Sequence, residues 1–298
     1  MKLLHAALLT FVLAAPAAAD VLLTKSVHTD EFTTPNGVQP AKTESQLVWL
    51  AKDKVRAEMG PVTYVVRLDQ RKLFLLRPAE KTFSAIDLPV NLAAHVPKSD
   101  ETKFEQMKSR LALSALVTPT EETERVKGWA AKKYKVQTSI LDTPSDETIW
   151  TTKDIEVDWT SFWDAQAALR SLQPGSETLI LEMRKLDGIV VKADRTRTTA
   201  AGKLHSLEEL VSAERKEAPE GTYEVPKDYT EKPFDPIAEL RRMVGARPGA
   251  GPGDTPAPGE KPADEKRGER RRGEKDANGG GEKRGGEPKR GGDAKQGG

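Results

Sequence analysis

Apolar positions in residues 62–88, VTYVVRLDQRKLFLLRPAEKTFSAIDL, recur every second residue inside short blocks. That is the period of a half-buried strand. Strands are predicted over 62–68, 72–77 and 81–88, joined by Leu-Asp-Gln-Arg and Arg-Pro-Ala-Glu turns as an antiparallel meander. Alternation puts Tyr64, Val66, Leu73, Leu75, Phe83 and Ala85 on one face and Val65, Phe74, Leu76 and Ile86 on the other. Both faces are partly apolar, which leaves room for one to pack on a core while the other lines a covered cavity.

The same pattern predicts a first strand over 21–28, a Pro-Asn-Gly turn at 35–37, and a hairpin of 44–51 with 54–59 that carries Trp49. From Asn91 the period lengthens. Phe104, Met107, Leu111 and Ala115, with Leu113 and Leu116 beside them, predict an amphipathic helix capped by Ser99 or Asp100 and stopped by Pro119. Strands resume over 122–127, 129–141 and 147–158. A second helix over 160–172 sets Phe162, Ala165, Leu169 and Leu172 on one side and stops at Pro174-Gly175. A further helical turn over 177–186 breaks at Gly188. Strands over 189–198 and 204–216 and an extended piece at 222–225 finish a body that ends near Tyr229, with 231–247 a linker or short helix. The fold class is α+β, mainly β and antiparallel.

Both ends of the chain differ from this body. Lys2, an apolar run over 3–15 and Ala17-Ala18-Ala19 describe a secretory signal peptide over residues 1–19, so a periplasmic or secreted protein is expected. No later segment reaches the roughly 20 apolar residues of a membrane span. The chain has no Cys, so the domain over 20–230 must be held by core burial rather than disulfides. Residues 248–298 collapse into Gly, Pro, Lys, Arg, Glu and Asp without an aromatic, a composition that predicts disorder. Basic clusters there, such as Arg270-Arg271-Arg272, are followed by Glu or Asp, and no aromatic is interleaved for base stacking, so no specific nucleic acid is expected. A soluble mixed-charge spacer fits better, with transient, salt-sensitive contact with anionic envelope surfaces as its functional alternative. A net charge of +1 favours neither nucleic acid nor an acidic partner.

Candidate chemistry is sparse. His28, His95 and His205 are scattered over different elements, and His205 with Glu208 is the one weak metal pair. Asp154, Glu156 and Asp158 alternate along a predicted strand, which lacks the sharp turn of a calcium loop. With no Cys and no Gly-x-Ser-x-Gly elbow, nucleophilic hydrolysis has little support. No metal, cofactor or enzyme activity is expected.

Several segments carry a resemblance. Val126-Lys127-Gly128-Trp129 through Tyr134 resembles a strand-Gly-strand motif of bacterial exported domains of unknown function related to the outer-membrane lipoprotein carrier superfamily. Tyr64 and Arg67 with the 73–83 hairpin, Glu147-Thr148-Ile149-Trp150, Leu186-Asp187-Gly188-Ile189 and Thr222-Tyr223 through Tyr229 match in order. Ala131 and Asp228 stand where members often have Cys and Gly. The resemblance implies a curved antiparallel sheet, an open or half β-barrel, with helices covering its concave face and no established enzyme chemistry. Such a container suits acyl chains, at roughly 0.8 kcal/mol per buried CH2. Its lining would be Trp49, Tyr64, Phe74, Leu76, Phe83, Trp129, Tyr134 and Trp150, roofed by Phe104, Met107 and Leu111. The expected ligand is a lipid or the acyl part of a lipoprotein. The alternative is a structural or sensory envelope module in which these residues fill a solid core.

Overall fold

A computed structural model of the chain describes residues 19–34, 37–111, 113–140, 143–199 and 202–245. The chain divides into two units, Met1–Gly253 and Asp254–Gly298, and every described residue belongs to the first. The expected signal peptide, apart from Ala19, and the expected disordered tail lie outside the described residues.

Fourteen strands and four α-helices are described: β1 Val21–Thr29, β2 Phe32–Thr34, β3 Gly37–Gln39, β4 Lys42–Leu50, β5 Lys54–Met59, β6 Val62–Arg67, β7 Lys72–Arg77, β8 Thr82–Asp87, α1 Glu101–Arg110, β9 Leu113–Val126, β10 Trp129–Ile140, β11 Thr143–Thr152, α2 Trp159–Arg170, α3 Glu177–Met183, β12 Ile189–Thr199, β13 Gly202–Arg215, β14 Thr230–Glu231 and α4 Pro236–Gly245. Twelve strands form one large curved sheet in the order β14-β8-β7-β6-β5-β4-β1-β13-β12-β11-β10-β9, and it does not close. Its pairings are antiparallel except β14 on β8. The small hairpin of β2 and β3 stands apart.

Register makes the core. Directly opposed residues share a face, so Val21, Leu50, Val55, Val66, Leu73 and Ile86 form one row across six strands. All six are buried. Helix α2 packs over β5 and β6, and Ala165 and Ala168 are its buried residues, small enough to let the helix approach closely. Its start is fixed by Asp158, whose Oδ1 accepts from the Ser161 N–H at 2.8 Å. A second cluster, with Tyr134, Val136, Ile149 and Ala193 from β10 to β12, packs with Met183 of α3 and with Leu186.

The β6–β7 and β7–β8 hairpins use four-residue loops closed by Arg71 and Lys81 in the left-handed region (φ 53° and 49°). An even-length loop pairs odd positions with even ones, and this corrects the faces expected for β8. Ser84 and Ile86 lie with Leu75 and Leu73, whereas Phe83 and Ala85 lie with Leu76 and Phe74.

Three further expectations change. The helix predicted through Leu116 ends at Arg110, and Leu113, Ala115 and Val117 belong to β9, whose partner β10 supplies the pairing that local helical period lacks. Pro119 sits inside β9, a position allowed because β9 is an edge strand. Residues 222–225 turn rather than extend. The strand predicted over 147–158 stops at Thr152.

The segment expected as a linker or short helix is α4. Asp235 Oδ1 accepts from the N–H groups of Ile237 and Ala238 at 2.9 Å each, capping the helix start. Phe234, Ile237 and Leu240 are buried in the main core, and Glu239 pairs with Arg77 of β7. Among the described residues no helix is long and apolar enough to cross a membrane.

Candidate functional site

The eleven residues expected to line one cavity do not share one. Tyr64, Phe104, Met107, Leu111, Trp129 and Trp150 belong to the main core, and Tyr134 belongs to the second cluster. Trp49, Phe74, Leu76 and Phe83 sit on the opposite face of the meander from Tyr64, because Trp49 faces Arg56, Val65 faces Phe74, and Leu76 faces Phe83. Phe104, Leu111, Leu76 and Tyr134 are buried, as are Trp49 and Trp150.

That second face is crossed by the chain after β13. Arg56 donates to the Thr222 carbonyl at 3.1 Å and Arg67 to the Tyr223 carbonyl at 3.2 Å. Lys216 Nζ stands 5.5 Å from the Trp49 ring centroid. Its polar anchors bring together Arg67 and Tyr223, two residues of segments that carry the resemblance.

Around these anchors opens a hollow of about 590 Å3, whose walls include Asp20, Lys54, Arg67, Tyr223 and Glu224. Lys54 and Arg67 face each other across β5 and β6. Arg67 is fixed as a fork on Asp69, Nε to Oδ1 at 2.9 Å and NH2 to Oδ2 at 2.7 Å. That hydrogen bonding raises Arg67 above the usual guanidinium range and holds Asp69 below the usual carboxylate range. Tyr223 donates its hydroxyl to Asp20 Oδ2 at 3.0 Å. Burial first, and then this carboxylate, push the phenol well above its ordinary value. Both signs of charge line the walls. Such walls differ from the predominantly apolar lining of most small-molecule pockets.

The other candidate groups have separate tasks. His205 does not meet Glu208, because an offset of three along a strand puts them on opposite faces. Its Nδ1 lies 2.9 Å from Asp30 Oδ2 and its Nε2 lies 3.0 Å from Asp194 Oδ1, so both nitrogens face carboxylates. Asp154 accepts from the Ala130 N–H at 2.8 Å, Glu156 pairs with Arg215 at 3.0 Å, and Asp158 caps α2. Among the described residues no group of three or more His, Asp or Glu is placed to hold a metal.

The remaining segments of the resemblance meet at β10 to β12. The Asp187 N–H donates to Tyr134 Oη at 3.2 Å, and the Thr151 hydroxyl donates to the Asp187 carbonyl at 3.0 Å. Gly188 has φ +130°, and a Cβ there would lie 2.4 Å from the Thr152 carbonyl oxygen, so only glycine fits. Trp150 lies under the ammonium groups of Lys192 and Lys133, 4.5 and 5.9 Å from its ring centroid. The cleft itself was not legible beforehand. Its walls come from residues 19, 20, 54, 67, 217–219 and 221–224, and the one sequence signal is that Arg67 and Tyr223 both fall in segments that carry the resemblance.

These features define a mainly β domain built on one open sheet, with a polar cleft where the closing segment crosses it. Residues 36–229 match the family model described as Domain of unknown function (DUF4412), and the chain belongs to that family. No curated protein matches the chain.

Proposed function

We propose that the chain is an exported, non-enzymatic interaction module with a solid β core that presents its polar cleft to a partner in the cell envelope. One observation carries this reading: the aromatic and aliphatic residues available to line an apolar cavity are divided between two faces of the sheet, while a roomy hollow is walled by Asp20, Lys54, Arg67 and Glu224.

A second reading keeps the likeness to the lipoprotein carriers. Among the described side chains of α1 Phe104 alone is buried and Met107 is half-buried, with Leu111 buried just beyond the helix. A helix held by so few contacts can lift from the sheet and admit an acyl chain beneath it. The open sheet supports that architecture.

Native mass spectrometry of detergent-free protein, with solvent extraction of bound lipid, separates the two. The module reading expects the bare polypeptide mass. A stoichiometric acyl-lipid adduct overturns it in favour of the carrier reading.

A further inference from the structure

Charge is unevenly matched where α2 ends over β11 to β13. Arg195 and Arg197, two positions apart on β12, project to one face. Register sets Glu147 opposite Arg195 and Ser145 opposite Arg197, with Ser206 of β13 on the other flank of Arg195. Glu208, two positions along from Ser206, faces the same way and pairs with Lys25 of β1 at 2.6 Å. Arg195 pairs with Glu147 at 2.6 Å.

Arg170, the last residue of α2, joins this group, with Glu147, Arg195 and Glu208 as its electrostatic neighbours. Among the described residues Glu147 and Glu208 are the carboxylates beside Lys25, Arg170 and Arg195, and each is already ion-paired, while Arg197 has Arg195 as its charged neighbour. Among the described residues neither Arg170 nor Arg197 forms an ion pair, and Arg170 Nε is sealed from solvent without a hydrogen-bond acceptor. Burial holds Arg170 below its ordinary range, opposed by Glu147 and Glu208 and reinforced by Arg195. Burial and then Arg195 act on Arg197 in the same direction.

Two carboxylates do not balance four cations, and a sealed donor without an acceptor calls for a missing partner. The surplus of positive charge favours an anion as that partner. The Arg195 side chain is 42% exposed, which leaves the group a side open to solvent. Planar guanidinium forks match the oxygens of a tetrahedral oxyanion, and the Ser145 hydroxyl stands in register beside them. We infer that Arg170, Arg195 and Arg197, with Ser145, form a binding site for a phosphoryl oxyanion, supplied either by free phosphate or by a lipid headgroup. This inference shares no residue with the partner cleft and does not rest on that reading.

The test uses the full chain and two variants, Arg197→Gln and Arg170→Met. Thermal unfolding is followed in inorganic phosphate and in chloride of equal ionic strength, with vesicle co-sedimentation on phosphatidylglycerol as a separate arm. Phosphate stabilises proteins in general, so the readout is the shift of the wild type minus that of each variant. At a hundredfold excess over Kd the wild type should gain about 5 °C more than Arg197→Gln. Arg170→Met should melt no lower than wild type without phosphate, since it removes a charge whose burial outweighs the pull of Glu147 and Glu208, yet lose the response. Vesicle binding that Arg197→Gln abolishes, without a free-phosphate response, assigns the oxyanion to a headgroup. The converse assigns it to free phosphate. Equal phosphate shifts in wild type and Arg197→Gln, together with equal vesicle binding, overturn the site. Arg197 lies near the solvent-facing end of β12, so its variant keeps the test decisive if Arg170→Met does not fold.

Discussion

The Tyr223 hydroxyl donates to Asp20 Oδ2 at 3.0 Å, joining residues 203 positions apart. Asp20 is held a second time, since its carbonyl accepts from the Lys216 N–H at 2.9 Å. The start of β1 and the segment that crosses the sheet after β13 are thus fastened together beside the cleft. Removing the hydroxyl in Tyr223→Phe should cost about 1 kcal/mol, because the bond is to a carboxylate but the pair is only part-buried. The melting temperature should fall by about 3 °C, measured by circular dichroism. Asp20→Asn keeps an acceptor and should cost less.

His205 confers a dependence on pH. With a carboxylate at each nitrogen, both nitrogens donate only when the ring is an imidazolium. The hydrogen bond to Asp30 raises His205 above its ordinary value, burial opposes this, and Asp194 reinforces it. A pKa higher in the folded than in the unfolded state means that the contribution is fully present below the unfolded value of about 6.5. It is lost as pH rises through the folded pKa. The stability of wild type minus that of His205→Gln, from urea titrations between about pH 5.5 and 9, should shrink with rising pH. A pH-independent difference would show that the ring is not charged in the fold.

Gly188→Ala should be severe. The substitution places a methyl group 2.4 Å from the Thr152 carbonyl oxygen at φ +130°, so the backbone of β11 or β12 must move. A loss of about 3 kcal/mol or more is expected, read as a lower urea midpoint with an unchanged slope. Gly202 also has positive φ (+125°), but no atom lies within 4 Å of its added Cβ. Gly202→Ala should therefore cost distinctly less.

Truncation locates the end of the folded body. A chain ended after Gly245 should melt at the full-length temperature, whereas a chain ended before Phe234 loses Phe234, Ile237 and Leu240 from the core. Leu240→Ala alone should cost about 2–5 kcal/mol, the range for emptying a buried leucine site. A wild-type-like melting temperature for the shorter chain would make α4 an appendage.

The meander, the β4–β5 hairpin and helices α2 and α3 were legible because local period, turn residues and caps point the same way there. The faces of Phe83 and Ala85 are not legible in the alternation alone, because a four-residue loop inverts parity, which depends on loop geometry rather than strand composition. Leu113 and Val117, four positions apart, fit both a helical and a strand period, and pairing along β10 decides for the strand. Ile237 and Leu240 reveal their burial only once β14 has returned the chain to β8. The cleft and the arginine group draw on four or more elements each, so no local pattern announces them.

An open sheet leaves two rims, and each is guarded here. On one side, the short parallel strand β14 occupies the hydrogen-bonding positions of β8 at Thr82 and Phe83. On the other, β9 carries Pro119 and exposed Glu121, Glu122, Glu124 and Arg125 along its outer half. A proline withholds a donor and like charges repel a second copy of the same rim. Polymerisation by strand addition is thereby discouraged at both rims, over Thr82 and Phe83 on one side and along the outer half of β9 on the other.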